Sequence, residues 1–313
     1  MTKRIFSKIT QLLSVLFITS LLIFSMTVFL PGDPAVTILG EDATQQQLEK
    51  LRKEMGLDDP VFIRYGRWIS KAVTGDLGYS IRSQEKVTSM LARRYPVTLQ
   101  LAFLSMTLAV LIGIPAGVLA AKNRGTWKDL CVGMFAMSGM AIPYFWLGVL
   151  LVLTFAIRWK FLPPSGHFPF FEAPLENLKY MILPTITIGV SMSALVMRQT
   201  RTAMLESLSQ DYVRTARAKG LSETVVVLKH TLKNALGPVV TVVGLQFGAL
   251  MGGAIVTETI FSIPGIGRMV VDGIFNRDLA VVQGAIITIV ISIVLINFLV
   301  DLIYTLLDKR VTL

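Results

Sequence analysis

Long uncharged runs alternate with polar segments along this chain, and the lengths of the runs predict its elements. Six of them, residues 9–30, 97–121, 133–157, 180–197, 239–257 and 279–300, are each free of charge. Each reaches the roughly 18 residues that a helix needs to cross a hydrocarbon core. The first follows Lys3, Arg4 and Lys8. It exceeds the 7–15 apolar residues of a signal peptide and no small-x-small site follows, so it reads as an uncleaved first span with a cytosolic N-terminus. Gly113, Pro115 and Gly117 punctuate the second run, Gly139 and Pro143 the third, and Pro184 and Gly189 the fourth, which is short and reads as interrupted.

The intervening segments differ in kind. Residues 31–96 open on a Pro31-Gly32-Asp33-Pro34 turn that forbids helix continuation, then carry a polar helical pattern over 45–55 and a second turn at Gly75-Asp76-Leu77-Gly78. Four prolines mark residues 158–179 as an irregular loop, and residues 258–278 are turn-rich around Pro264. Residues 198–238 are a basic insert. The short segments on the N-terminal side of the spans hold fifteen Lys and Arg and the two short loops opposite hold five. That bias predicts both termini and the basic insert in the cytosol.

Composition agrees: 53% of residues are hydrophobic, 16% are charged and the mean hydropathy is +0.64, against roughly 25% charged in soluble domains. The net charge of +10 invites a nucleic-acid reading, but no basic run is interleaved with aromatics as single-strand binders require. Cytosolic orientation of the spans accounts for the excess. A lone cysteine, Cys131, leaves no internal disulfide and no Cys-based metal cluster.

The runs lack the Asp, Glu, Lys, Arg and His that equip ion-coupled carriers, which weakens a secondary-transporter reading. No G-x-x-x-x-G-K-[ST] loop, H-E-x-x-H or Ser/His/Asp set is present, so the chain has no engine or catalytic site of its own. The Gly and Pro residues in the runs fit either close helix packing or helices that bend to open a path. Gln246, Gln283, Ser292 and Asn297 fit a path lining or interhelical hydrogen bonds equally well.

Within the insert, Leu205, Leu208 and Tyr212 recur at helical spacing, as do Arg214 and Arg217. Gly220 suits a helix C-cap and Ser222 the N-cap of a second helix. That helix would carry Val225, Leu228, Leu232 and Leu236 on one stripe, with Lys229 and Lys233 opposite. The pattern is a helix–turn–helix hairpin, readable as a docking element or as a plain positive-inside loop.

The hairpin sequence Arg214-Thr215-Ala216-Arg217-Ala218-Lys219-Gly220 resembles the cytoplasmic "EAA" loop of permease subunits of binding-protein-dependent ABC importers, in detail the first-permease branch of the dipeptide/oligopeptide/nickel family. The resemblance covers nearly the whole chain. It includes Gly56-Leu57-Asp58, Gly75 to Ser80, Pro96-Val97-Thr98-Leu99, Pro264-Gly265-Ile266-Gly267-Arg268, and Asn297, Asp301, Tyr304 and Asp308. The loop's glutamate is replaced by Arg214, its closing Leu-Pro by Leu232-Lys233, and Lys309 stands where many relatives have proline.

The resemblance implies an all-α integral membrane protein with six transmembrane helices and the type I ABC importer permease fold, a single permease domain over 1–313 in a bacterial inner membrane. It implies a second homologous permease, two cytoplasmic ATP-binding subunits and an external solute-binding protein as partners, besides membrane lipid, with no nucleic acid and no cofactor held by this chain. Arg214, Thr215, Ala216, Arg217 and Gly220 would contact an ATPase. Gly75, Asp76, Gly78, Pro264, Gly265, Gly267 and Arg268 would contact the receptor or form an outer gate. The implied solute is a peptide, with nickel, glutathione or an opine as alternatives.

Overall fold

The computed structural model describes residues 2–29, 34–40 and 43–307. The Pro31-Gly32-Asp33 turn and Asp308, Lys309 and Arg310 lie outside the described residues. In chain order the helices are α1 (Thr2–Phe29), α2 (Pro34–Leu39), α3 (Gln45–Met55), α4 (Val61–Val73), α5 (Val87–Lys122), α6 (Trp127–Ala141) and α7 (Tyr144–Leu151), which runs on as a π-helix (Val152–Arg158). Then come α8 (Pro174–Leu208), α9 (Asp211–Ala218), α10 (Glu223–Val225) with a π-helix (Val226–Thr231), α11 (Leu232–Gly253), α12 (Ile255–Ile260), α13 (Ile266–Phe275) and α14 (Leu279–Leu307). Among the described residues β structure is limited to an isolated bridge between Tyr79 and Lys86.

Each of the six uncharged runs lies on helix within the described residues. Among the described residues four helices are long and apolar enough to cross a membrane, five if the bent pair of α6 and α7 is one span, and α1 adds the apolar stretch Leu12–Ser25. Several boundaries differ from the sequence reading. The second run's helix starts at Val87, ten residues early, and passes through Pro96 and Pro115. The fourth is neither short nor interrupted: α8 is 35 residues long with Pro184 inside it. Proline forfeits one backbone bond, but Pro184 is buried between well-packed turns, which hold the helix together. Pro238 is likewise inside α11, so the second half of the basic insert and the fifth run form one helical rod, Glu223–Gly252. The third run breaks at Ile142 and Pro143, by 95°, and the fifth passes from α11 to α12 at Ala254.

The chain forms two compact units, Met1–Pro96 with Gly265–Ile291, and Val97–Pro264 with Ser292–Leu313. In the first, α4 lies on α1 through Phe24, Tyr65 and Trp68, with ring centroids 5.5–6.3 Å apart, and Ser20 Oγ sits 2.8 Å from Tyr65 Oη. Thr44 and Gln47 close a capping box at the start of α3, and Gly56 ends that helix in the left-handed region.

The second unit is built around α8, against which α6, α7 and α11 pack. Its core holds Leu101, Met181, Leu183, Val196, Met204 and Phe261. The glycines of α5 serve close packing. A Cβ at Gly113 would fall 2.9 Å from Ser193 O and one at Gly117 would fall 2.7 Å from Met197 O, both on α8, and Gly189 of α8 meets Ser105 O of α5 in the same way. Small residues thus let two helices approach where lipid supplies no hydrophobic drive. Glu258, placed by its sequence position at the end of a span, is wholly buried in α12, where Thr98 Oγ donates to its Oε1 at 2.6 Å. Gln246 Nε2 and Asn297 Oδ1 are buried with no hydrogen-bond partner among the described residues.

Candidate functional site

The basic insert is a hairpin. α8 carries it as far as Leu208, α9 turns away after Ser209 and Gln210, and α10 returns towards α11. Tyr212 therefore belongs to a different helix from Leu205 and Leu208 and shares no face with them. Val213, Ala216 and Val226 form the hairpin's own buried cluster, with Leu208 packed against it. Gly220 sits at φ +75° just beyond α9 and donates its N–H to Arg217 O at 2.9 Å. A side chain there would meet nothing within 4 Å, so glycine is required by the backbone and not by space.

Two expectations for the second helix fail. Ser222 has the extended backbone of an N-cap but its side chain accepts no capping bond. The buried stripe is Val226, Val227, Thr231, Ala235 and Val239, whereas Val225 and Leu228 are exposed. The π-helix at Val226–Thr231 is the cause: bonding to i−5 inserts an extra residue and rotates the register. Thr231 Oγ follows the same spacing, donating to Val226 O at 3.0 Å.

Two ion pairs engage the hairpin's arginines. Arg217 grips Glu223 across the turn in a fork, Nε to Oε2 at 3.1 Å and Nη2 to Oε1 at 2.7 Å. The hydrogen bond from Arg217 holds the Glu223 carboxyl below its ordinary range, with Lys122 assisting. Thr215 Oγ donates back to Asp211 O at 3.0 Å. Arg214 is only loosely matched, 3.4 Å from a nearly fully exposed Asp211. Of the five candidate coupling residues, Arg214, Thr215, Arg217 and Gly220 are exposed and Ala216 faces inward. Arg214 is thus the guanidinium most available to an acidic partner, and Arg217 shapes the turn.

A second ion pair ties this region to the bent span. Arg201 on α8 donates from Nε and Nη2 to the two carboxylate oxygens of Asp129 on α6, at 2.6 and 2.8 Å, and Gly125 N–H adds a third bond at 3.1 Å. Asp129 is only 11% exposed. The hydrogen bonds from Arg201 hold it at about 2, below the ordinary 3.8. A depressed carboxyl contributes stability above its unfolded value and loses it as pH falls through the folded one. The pair's contribution is therefore constant from pH 5 to 8 and disappears between about pH 4 and pH 2. Asp129→Asn is expected to cost about 2 kcal/mol, the worth of a charge-assisted bond, measured by unfolding of the solubilised permease. An unchanged midpoint at pH 7, or a wild-type midpoint that shifts between pH 5 and 8 and ceases to do so in the variant, would contradict this assignment. Sequence reasoning missed the pair. Its one signal was an acidic residue in a turn otherwise marked by Lys122, Arg124 and Lys128.

On the first unit, Gly75 and Gly78 both adopt positive φ and Asp76 Oδ1 accepts Gly78 N–H at 3.0 Å. Gly75 and Asp76 are exposed at the tip. The turn is anchored by Ser80 Oγ, which donates to the buried Asp278 at 2.6 Å, and by a bond from Arg82 to Asn276. A cavity of about 520 Å³ beside these anchors is lined by Arg82, Arg94, Asp272 and Asn276. Of the remaining outer candidates, Gly265 and Gly267 are buried at the start of α13, and Pro264 and Arg268 are half-buried. Arg268 Nε lies 4.0 Å from Asp272 Oδ2.

Residues 113–313 match the family of binding-protein-dependent transport system inner membrane components, and residues 1–102 match the N-terminal region of such membrane components. A Brucella suis protein named as a peptide transport system permease is 40% identical over 311 residues, 99% of each chain. The glutathione transport system permease GsiC of Escherichia coli O6:H1 is 42% identical over the same share. The MetNI methionine ABC transporter, solved in inward-facing conformations, overlays with a TM-score of 0.57 over 70% of this chain and 96% of that one, at 22% identity. With both family models matched along the chain and relatives aligned over 99% of it, the chain belongs to the family of inner-membrane components of binding-protein-dependent transport systems, the permease subunits of peptide-type ABC importers.

Proposed function

We propose that this chain pairs with a second, homologous permease to pass di- and oligopeptides inward, driven by two cytoplasmic ATPases and supplied by an external binding protein. The observation that carries the solute is the 40% identity, over 99% of both chains, to a relative named for peptide transport. Both chain ends and the hairpin are assigned to the cytosol by the lysine and arginine bias.

Coupling follows from the hairpin's connections. An ATPase gripping the turn around Arg214 and Gly220 holds two rods at once, because α8 enters the hairpin and Glu223–Gly252 leaves it. α6 follows through Asp129 and Arg201. Closure of the ATPases on ATP thereby moves three helices together, and the outer turn at Gly75–Ser80 receives the loaded receptor. A second reading, glutathione as the solute, is favoured by the 42% identical relative named for it; glutathione is itself a short peptide.

The test is reconstitution of the complete importer with its receptor in vesicles. ATP- and receptor-dependent entry of a labelled di- or tripeptide is the expected result. Entry of nickel or an opine with no peptide uptake would reject the solute, and uptake driven by an ion gradient without ATP would reject the coupling.

A further inference from the structure

Helix α4 is amphipathic and lightly packed. Arg64, Arg67 and Lys71 recur along it at i, i+3 and i+7, so three cations share one face, while Tyr65 and Trp68 meet α1. None of its 13 residues is buried. A helix of this length is marginal in water unless a face is packed. Its contact with α1 falls at Ser20 and Phe24, inside the apolar stretch Leu12–Ser25. A basic amphipathic helix laid against the apolar part of a span matches those that rest in the plane of a membrane surface.

Between α4, α1 and the start of α14 lies a cavity of about 310 Å³, formed wholly within the first unit. Its depth can be read from the spans. Phe24 stands six residues before the end of the uncharged run 9–30, and Leu279 opens the run 279–300. At 1.5 Å per residue the cavity is therefore within about 9 Å of the apolar boundary, on the side that the lysine and arginine bias assigns to the outside. That is the depth of the headgroups and the first acyl carbons.

The lining has two chemistries. All three cations of α4 reach it, and no acidic residue among the described ones does. Arg67 is paired with Asp59 at 2.7 Å. Arg64 reaches only the Leu57 carbonyl, at 3.4 Å, and Lys71 has no ion-pair partner among the described residues. Phe24 and Leu279 supply an apolar floor beside them. An acidic protein surface arriving from outside would meet the cations and leave that floor unfilled. An amphiphile with an anionic head satisfies both parts with one molecule, and basic pockets between membrane helices suit such headgroups.

We infer that this cavity binds one anionic phospholipid of the outer leaflet, with its phosphodiester among the three cations and its first chain carbons on Phe24 and Leu279. The bound lipid fastens α4 to the ends of two spans and so fixes the height of the Gly75–Ser80 turn that follows it.

The test uses the complete importer, purified in neutral detergent. It is titrated with phosphatidylglycerol or with phosphatidylcholine of the same chains, and bound lipid is counted by native mass spectrometry. One phosphatidylglycerol held in preference to phosphatidylcholine is the expected result. Its affinity should fall about twenty-fold in the double variant Arg64→Gln with Lys71→Gln, at roughly fivefold per cation. Lys71→Glu, which leaves the Arg64 contact with Leu57 untouched, should lose the lipid as well, and Lys71→Arg should keep it. Equal binding by parent and variants, or no preference between the two lipids, overturns the inference. Displacement of the lipid by millimolar inorganic phosphate would make this a site for free anions and overturns it too. Intact lipid binding with lost receptor binding in the variants would assign the cations to the receptor instead.

Discussion

Gly117→Val is expected to cost the permease most of its folded population in detergent, and uptake with it. A Cβ at this position would fall 2.6 Å from Thr200 Cβ and 2.7 Å from the Met197 carbonyl oxygen. The second of these is backbone in the middle of α8, so it cannot swing aside as a side-chain tip would. Valine adds two methyl groups beyond that Cβ. Overpacking of this kind costs about 3 kcal/mol, at the upper end of its usual range, since relief requires separating α5 from α8. Gly133→Val is the control. A Cβ there meets nothing within 4 Å, and its stability should stay equal to the parent's or rise slightly. Titration with denaturing detergent, following helix content, reads both variants. Equal behaviour of the two would show that α5 and α8 do not approach as described.

Gly220→Val is expected to reduce ATP-driven uptake about tenfold while leaving the spans folded, since an L-residue in the left-handed region costs about 1–2 kcal/mol. The penalty falls on the turn alone, which is held at φ +75° with open space around it. Gly220→Asn separates two explanations, because asparagine tolerates positive φ. Near-normal uptake in the asparagine variant would show that the turn's shape is what matters. Loss in both would show that the ATPase sits too close to the glycine for any side chain. Normal uptake and normal receptor-stimulated ATPase activity in the valine variant would remove the hairpin from the coupling path.

The bilayer makes some features of this chain legible and hides others. Uncharged runs report their own helices, because hydrocarbon admits little else. Helix ends are less visible: α5 continues outward through Arg93 and Arg94 to Val87, since a helix has no reason to stop where the lipid does. Prolines mislead for a related reason. Pro184 and Pro238 stay inside helices while Pro143 breaks one, and the residue type alone does not distinguish them. The hairpin's glycine was readable because positive φ is a single-residue requirement. The clamp of Asp129 by Arg201 and the burial of Glu258 on Thr98 join residues 72 and 160 positions apart, and no periodicity spans such distances. The π-helix at Val226–Thr231 shifted the buried stripe by an amount that a 3.6-residue period cannot express.

The unbroken length of α8 has an arithmetic consequence. Its 35 residues amount to about 50 Å at 1.5 Å per residue, with the hairpin attached at one end. Tilting such a rod by about 5° displaces its far end by about 4 Å, roughly the width of a peptide backbone. An ATPase movement too small to see as a rearrangement of the hairpin itself is therefore large enough, at the opposite surface, to decide whether a solute of that width fits.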